Sequence, residues 1–407
     1  MRIVIINQPL NNRGDESAHK ALVRSICNSI PDCRIEVLFV QANKDSIKQF
    51  NVNLSNVQYL NLRAFKGFGK CSCWGMIYKV KWLWKLHPTI VHILQVYKKA
   101  DLIICAPGGI CMGGFQDWNH LFYLQLAKYA RKPLAYYGRS FGPFPITTKS
   151  NRDFKKLSLE MLHYFSFLSI RDSKTEKLAQ ELGLGYVSTV DSAFLDAPKV
   201  ILPKEIQQIL EGKKYIVFVP NLLIWHYAYK GRISKEMVLS FYSRMTDVIG
   251  AHYPDHEIIM LPQTFNYGNY EGDDIHLFNE IKAMKKDYPI TVISDQYSSD
   301  IQQTIIQGAS CLVGARYHSV VFAINNNVPF VALSYEHKIS GLLETLGKTE
   351  CMLDITFALD SEKKTNEFLV LFKEKLNNIK SDSKVQALAK AISNKCFRYF
   401  VNQLCRR

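Results

Sequence analysis

Short, predominantly apolar runs recur along this chain, each followed by a cluster of turn residues and then a helix-like stretch. They are Ile3 to Ile6, Ile35 to Val40, Leu102 to Ala106, Leu134 to Tyr137, Phe167 to Ile170, Tyr215 to Val219, Glu257 to Leu261, Ile290 to Ile293, Cys311 to Val313 and Phe330 to Leu333. A strand without polar alternation is buried on both faces, and helices covering a parallel sheet provide that burial. The pattern predicts an α/β chain of βα units.

With 407 residues the chain exceeds one ordinary core, and the βα series breaks and restarts around Asp191 to Pro198, before Pro203 and the polar Glu211 to Lys214. This places one Rossmann-like domain at 1–196 and a second at 197–375. The remainder, 376–407, has helical periodicity through Val385, Leu388, Ile392, Phe397 and Phe400 and is expected to pack back on the body.

Hydrophobic residues make up 47% of the chain and charged residues 21%, a globular balance, and no apolar run reaches the roughly 18 residues of a membrane span. Arg2-Ile-Val-Ile-Ile6 reads as a buried strand and not as part of a secretory signal. The ten cysteines are scattered without a disulfide framework, which points to a reducing cytoplasm. Cys71-x-Cys73 has no second pair at zinc spacing, and Pro254 separates His252 from His256, so no metal site is expected.

The net charge of +15 allows nucleic acid, an anionic membrane or acidic substrates as partners. Nothing resembles a zinc finger, an RNP sequence or a basic arm, and nucleic acid is set aside. The densest basic and aromatic segment, 66–99, contains Trp74, Tyr78, Lys79, Lys81, Trp82, Trp84 and Lys85. It reads either as peripheral contact with an anionic bilayer, which would put the protein at the inner face of the plasma membrane, or as an amphipathic helix with its tryptophans in the core.

In open parallel sheets, ligands gather beyond the carboxyl ends of the strands. The loop after Ile6 contains Asn12, Gly14 and Asp15 ahead of a helix, where free N–H groups can receive an anion or a hydroxyl, with helix capping by Asp15 as the alternative. The loop after Ala106 carries Gly108, Gly109, Gly113 and Gly114, permitting close backbone approach without matching a nucleotide-binding motif. Arg139, beside Ser140, can bind an anion or brace its loop. Arg171 is a candidate anion ligand, and Asp172 a candidate helix cap. Arg316 and His318 sit together at a strand end opening a helix, and Lys338 follows the next strand. A permanent cation with a carboxylate-matching fork, an exchangeable imidazole and a second cation suit a small anionic substrate with proton transfer.

Together these stretches resemble the polysaccharide pyruvyltransferase family. The resemblance spans roughly residues 3 to 350 and rests on Asn12-Arg-Gly-Asp15, Ser140-Phe-Gly-Pro143, Ser169-Ile-Arg-Asp172, Gly314-Ala-Arg-Tyr-His318, Val328-Pro329 and Tyr335-Glu-His-Lys338, with Gly341 to Gly347 beyond. One departure is Pro107-Gly-Gly-Ile110, where many members have a longer glycine run. The resemblance implies a GT-B-like pair of Rossmann-like domains with the active site in the interdomain cleft. It also implies transfer of pyruvate from phosphoenolpyruvate to a sugar, as a ketal, on a cell-surface polysaccharide or its lipid-linked precursor.

Carried to matching positions, Arg171, Arg316 and His318 would hold or act on phosphoenolpyruvate, with Lys338 close by. His318 is the candidate acid or base, and Asp15 a further candidate for activating the acceptor hydroxyl. Phosphoenolpyruvate is the donor substrate and no cofactor is expected. The acceptor would be a sugar or a lipid-linked oligosaccharide, with contacts expected from 220–231, where Trp225, His226 and Tyr227 could stack on a ring. The competing readings are a GT-B glycosyltransferase using a nucleotide sugar and a glycan- or membrane-binding scaffold without turnover.

Overall fold

The computed structural model describes residues 1–224, 226, 229, 231–265, 273–285 and 288–405. The chain divides into two compact units. The first comprises 1–10, 15–196 and 392–407, and the second 11–14 and 197–391.

The first unit holds a parallel sheet of β1 (Arg2–Ile6), β2 (Arg34–Val40), β3 (Val57–Leu62), β4 (Leu102–Cys105), β5 (Leu134–Tyr136), β6 (Phe167–Ile170) and β7 (Val187–Ser188), in the order β3-β2-β1-β4-β5-β6-β7. The second holds β8 (Lys214–Val219), β9 (His256–Met260), β10 (Ile290–Val292), β11 (Cys311–Gly314), β12 (Phe330–Ser334) and β13 (Met352–Asp354), in the order β10-β9-β8-β11-β12-β13. Each order reverses once, between β1 and β4 and between β8 and β11. A doubly wound sheet opens a ligand crevice at such a reversal. The fold is the two-unit parallel α/β architecture expected from the apolar runs.

Successive side chains of a strand face opposite ways, so each sheet feeds two cores. Val4 and Ile6 of β1 pack in a cluster with Trp84, Tyr97 and Phe122. Ile3 and Ile5 pack in another, closed by Cys396, Phe397, Phe400 and Leu404 of the terminal helix Ser383–Cys405. Both faces of β1 are therefore covered, which is why its sequence carries no polar alternation.

The segment 66–99 forms the helix Phe68–Ile77, a 3-10 turn Lys81–Lys85 and the helix Pro88–Lys99. Its tryptophans separate: Trp84 is fully buried, whereas Trp74 is 51% and Trp82 61% exposed. Lys81 is half-buried, donating to Gln125 Oε1 at 3.2 Å and lying 5.7 Å from the Trp84 ring. Among the described residues no helix is long and apolar enough to cross a membrane.

Candidate active site

β11 ends at Gly314, where an added Cβ would stand 2.1 Å from Ser319 Oγ. Only glycine lets the strand end press on the first turn of the following helix. Arg316 is the N-cap of that helix, Tyr317–Asn325, so this residue and His318 stand where β11 hands over to a helix at the sheet's point of reversal. The neighbouring strand β12 pairs in parallel with β11 and leads to the helix His337–Thr345, with Glu336 as its N-cap and Lys338 in its first turn. Two helix amino termini thus start from adjacent strands, and both favour negative charge.

Arg316 forms an ion pair with Asp274, the Arg316 side chain being 14% exposed and the Asp274 side chain 2%. Asp274 opens the helix Asp274–Ala283, and its second carboxylate oxygen accepts the N–H groups of Gln263 and Thr264 at 3.0 and 2.9 Å. Burial works against the Arg316 charge, and Asp274 with Tyr335 outweighs it, so the guanidinium is held above its ordinary range.

Lys338 Nζ lies 3.1 Å from Glu336, whose other oxygen is 3.6 Å from His226 Nε2. Burial pushes the Glu336 carboxyl up, but Lys338 and His226 pull it down further, to about 2. Its charge is therefore fixed at neutral pH, and Lys338 is held by a carboxylate whose side chain is itself only 9% exposed. Asn221, in the loop after β8, donates to Tyr335 Oη at 2.7 Å, and the Tyr335 ring meets His226 edge-on at 5.2 Å.

The segment Asn11–Gly14 belongs to this second unit. Arg13 N–H donates to Gln263 O and Phe265 N–H to Asn11 O, both at 2.9 Å, and Asn12 Nδ2 reaches Thr264 Oγ1 at 3.4 Å. Asn12 Oδ1 accepts the Gly14 N–H at 2.8 Å. The side chain that caps the helix Arg13–Ser29 is thus Asn12. Asp15, the alternative cap, lies inside the first turn, where a carboxylate complements the helix dipole. A Cβ on Gly14 would stand 1.8 Å from His318 Nδ1, so the His318 ring lies directly against the Gly14 backbone. Sequence reading missed this role of the glycine, together with Asp274, Asn221 and the buried Arg13, whose guanidinium sits 4.6 Å over Phe265.

The remaining candidates belong to the first unit. Arg139 is fully buried and donates to Ala106 O at 2.6 Å, Gly109 O at 3.0 Å and Cys111 Sγ at 3.1 Å, so it braces the glycine loop. Gly108, at φ +157°, pairs with Arg139 in an isolated bridge, and a Cβ there would press within 3.3 Å of the guanidinium. Ser140 Oγ donates to Asp172, which also caps the helix Ser173–Glu181 by accepting the Thr175 N–H at 2.8 Å. Arg171 is paired with Asp191, their side chains being 3% and 0% exposed.

Cys111, Asp117 and His120 bring potential ligand atoms within 4.8 Å of one another. Asp117 also caps a helix by accepting the His120 N–H, and Cys111 adjoins the Arg139 guanidinium. A divalent cation there would meet a fixed positive charge. Trp225 and Tyr227, expected at an acceptor, lie outside the described residues.

The polysaccharide pyruvyl transferase profile matches residues 16–337. The chain belongs to that family. The matched span takes in Gly108, Gly109, Arg139, Ser140, Arg171, Arg316 and His318, and stops one residue short of Lys338. Amylovoran biosynthesis protein AmsJ of Erwinia amylovora is 24% identical over 278 residues, covering 65% of this chain and 63% of AmsJ, so the chain spans somewhat less than two thirds of that relative.

Solved structures share the fold. A UDP-GlcNAc 2-epimerase from Neisseria meningitidis aligns with TM-score 0.58 at 9% identity over 100% of both chains. A putative UDP-N-acetylglucosamine 2-epimerase from Listeria monocytogenes aligns with TM-score 0.57 at 11% identity, covering 96% of this chain and 90% of that one.

Proposed function

We propose that the protein transfers pyruvate from phosphoenolpyruvate to a sugar of a polysaccharide or its lipid-linked precursor, forming a ketal. The observation that carries this reading is the grouping of Arg316, His318 and Lys338 at the starts of the two helices that follow β11 and β12. Phosphoenolpyruvate bears a carboxylate and a phosphate, and fixed cations beside helix amino termini meet both.

Proton transfer from the His318 imidazole to the methylene carbon creates a methyl group and an oxocarbenium-like C2. One acceptor hydroxyl bonds to C2, the C2–O bond to phosphate breaks, and a second hydroxyl closes the ketal. Two hydroxyl protons are released, one replacing the proton given to carbon and the other leaving with phosphate. Asp274 and Glu336 position the two cations.

His318→Ala and Arg316→Ala should each abolish phosphate release from phosphoenolpyruvate while the circular dichroism spectrum stays that of the wild type. Near-normal turnover in both would remove the site. Thermal protection by UDP-glucose but not by phosphoenolpyruvate would favour the glycosyltransferase reading instead.

The acceptor side of the same reading is a membrane surface. Residues 46–100 contain no aspartate or glutamate, and Trp74, Tyr78, Trp82 and Leu86 are exposed beside the exposed Lys79 and Lys85. Aromatic rings among lysines suit an anionic headgroup layer. Binding to phosphatidylglycerol vesicles should fall when Lys79 and Lys85 are changed to Glu, and unchanged co-sedimentation would count against membrane contact.

A further inference from the structure

A cavity of about 500 Å³ lies within the first unit, beyond the carboxyl ends of β1 and β2, where Ile6 and Val40 form part of its wall. Asn7, Gln8, Gln41, Asn119, Phe68 and Tyr123 also line it. None of the described residues at its wall carries a charged side chain, in a protein of net charge +15. We propose that this cavity is the acceptor subsite and takes an uncharged sugar ring, an inference that rests on the pyruvyl transfer reading and names the class of its second substrate.

Primary amides both donate and accept, as a polyol requires, and aromatic faces cover the apolar side of a sugar ring. Gln8 is 7% exposed, and its Nε2 donates to Pro9 O and Asp15 O at 3.0 and 3.3 Å. Its buried Oε1 has no hydrogen-bond partner among the described residues. A buried acceptor left unmatched is costly, and a turn of the Gln8 side chain toward the cavity would offer that oxygen to a ligand hydroxyl.

Asn7 and Gln41 are the first residues after β1 and β2, and both have left-handed backbones, at φ 60° and 53°. Such conformations in residues other than glycine persist where the surroundings over-determine them, and they gather at binding sites. The volume falls within the range of small-molecule pockets. An acidic sugar would bring its carboxylate into the cavity without a cation to pair it, which disfavours charged acceptors.

The cavity also adjoins the surface proposed to face the bilayer. Phe68 and Gly69 begin the ten-residue helix that ends at Ile77, beside Tyr78. At about 1.5 Å per residue that helix spans roughly 15 Å, a short reach from an anchored lipid to its first sugars.

Saturation-transfer NMR on the full chain tests the assignment, with methyl β-glucoside, methyl β-galactoside, methyl β-mannoside and, as a charged control, methyl β-glucuronide. An added Cβ on Gly69 meets nothing within 4 Å, so Gly69→Trp fills space without a backbone clash. The expected result is transfer to at least one neutral glycoside, its loss in Gly69→Trp, its reduction in Asn119→Ala and no transfer to the glucuronide. Silence from every neutral glycoside, transfer that survives Gly69→Trp, or equal transfer to the glucuronide would overturn the proposal.

A rise in melting temperature with phosphoenolpyruvate, measured in each variant, reports that the fold and the donor site survive. If Gly69→Trp lacks that rise, the exposed Asn119→Ala decides the matter. Absence of the rise in the wild type would fault the donor reading, whatever the sugars do.

Discussion

Arg171 follows β6 in the first unit and Arg316 follows β11 in the second. Each leaves a buried parallel strand, and each meets an aspartate anchored by backbone N–H groups, Asp191 by Ala193 and Asp274 by Gln263 and Thr264. The Arg171 pair is closed off, at 3% and 0% side-chain exposure, whereas the Arg316 side chain keeps 14%. After Arg171 comes a capping aspartate; after Arg316 comes an imidazole. The same local pattern therefore seals a cation in the interior of one unit and leaves one partly open to solvent in the other.

The comparison can be broken most forcefully at Arg171. Arg171→Met leaves the Asp191 carboxylate in a closed interior and should lower unfolding free energy by about 3–5 kcal/mol in a urea titration. Lost turnover with unchanged stability would move Arg171 to the substrate.

A smaller effect is expected at Glu336, whose carboxyl is depressed from 4.5 to about 2. A folded-state value below the unfolded one contributes stability above pH 4.5 that disappears as pH falls through 2, about 3 kcal/mol in all. Glu336→Gln should flatten that part of the acid unfolding curve. The smallest stability change is expected for Arg316→Lys, under about 1 kcal/mol, because a cation still faces Asp274. Loss of the planar fork should nonetheless cut kcat/KM for phosphoenolpyruvate by about a hundredfold. An equal loss of stability and turnover would erase the contrast between the units.

Legibility in the sequence followed burial. β1, β2, β4, β5 and β6, and β8, β9, β11 and β12, announce themselves as mostly apolar runs because they are interior strands of their sheets, whereas the edge strand β10 is legible only because Ile290, Val292 and Ile293 are apolar. β3 was missed because it is an edge strand with only one of its six residues buried, and β7 and β13 are edges of two and three residues. Such strands carry no continuous apolar signal.

At the site, the Arg316, His318 and Lys338 positions followed from strand ends alone. Asp274 could not, since it reaches Arg316 across 42 positions of chain. The contact between Gly14 and His318 could not either, because a glycine in a polar loop gives no sign that a ring from residue 318 will rest on it. Trp84 and its neighbours Trp74 and Trp82 look alike in sequence and part company only in three dimensions.

The excursion of Asn11–Gly14 into the second unit has a practical corollary for anyone dissecting this protein. A single cut at residue 197 strands those four residues on the wrong fragment, and the piece retaining His318 loses the floor beneath its imidazole. The halves of this protein are not separable parts, and a surrogate for one of them needs a peptide borrowed from the other.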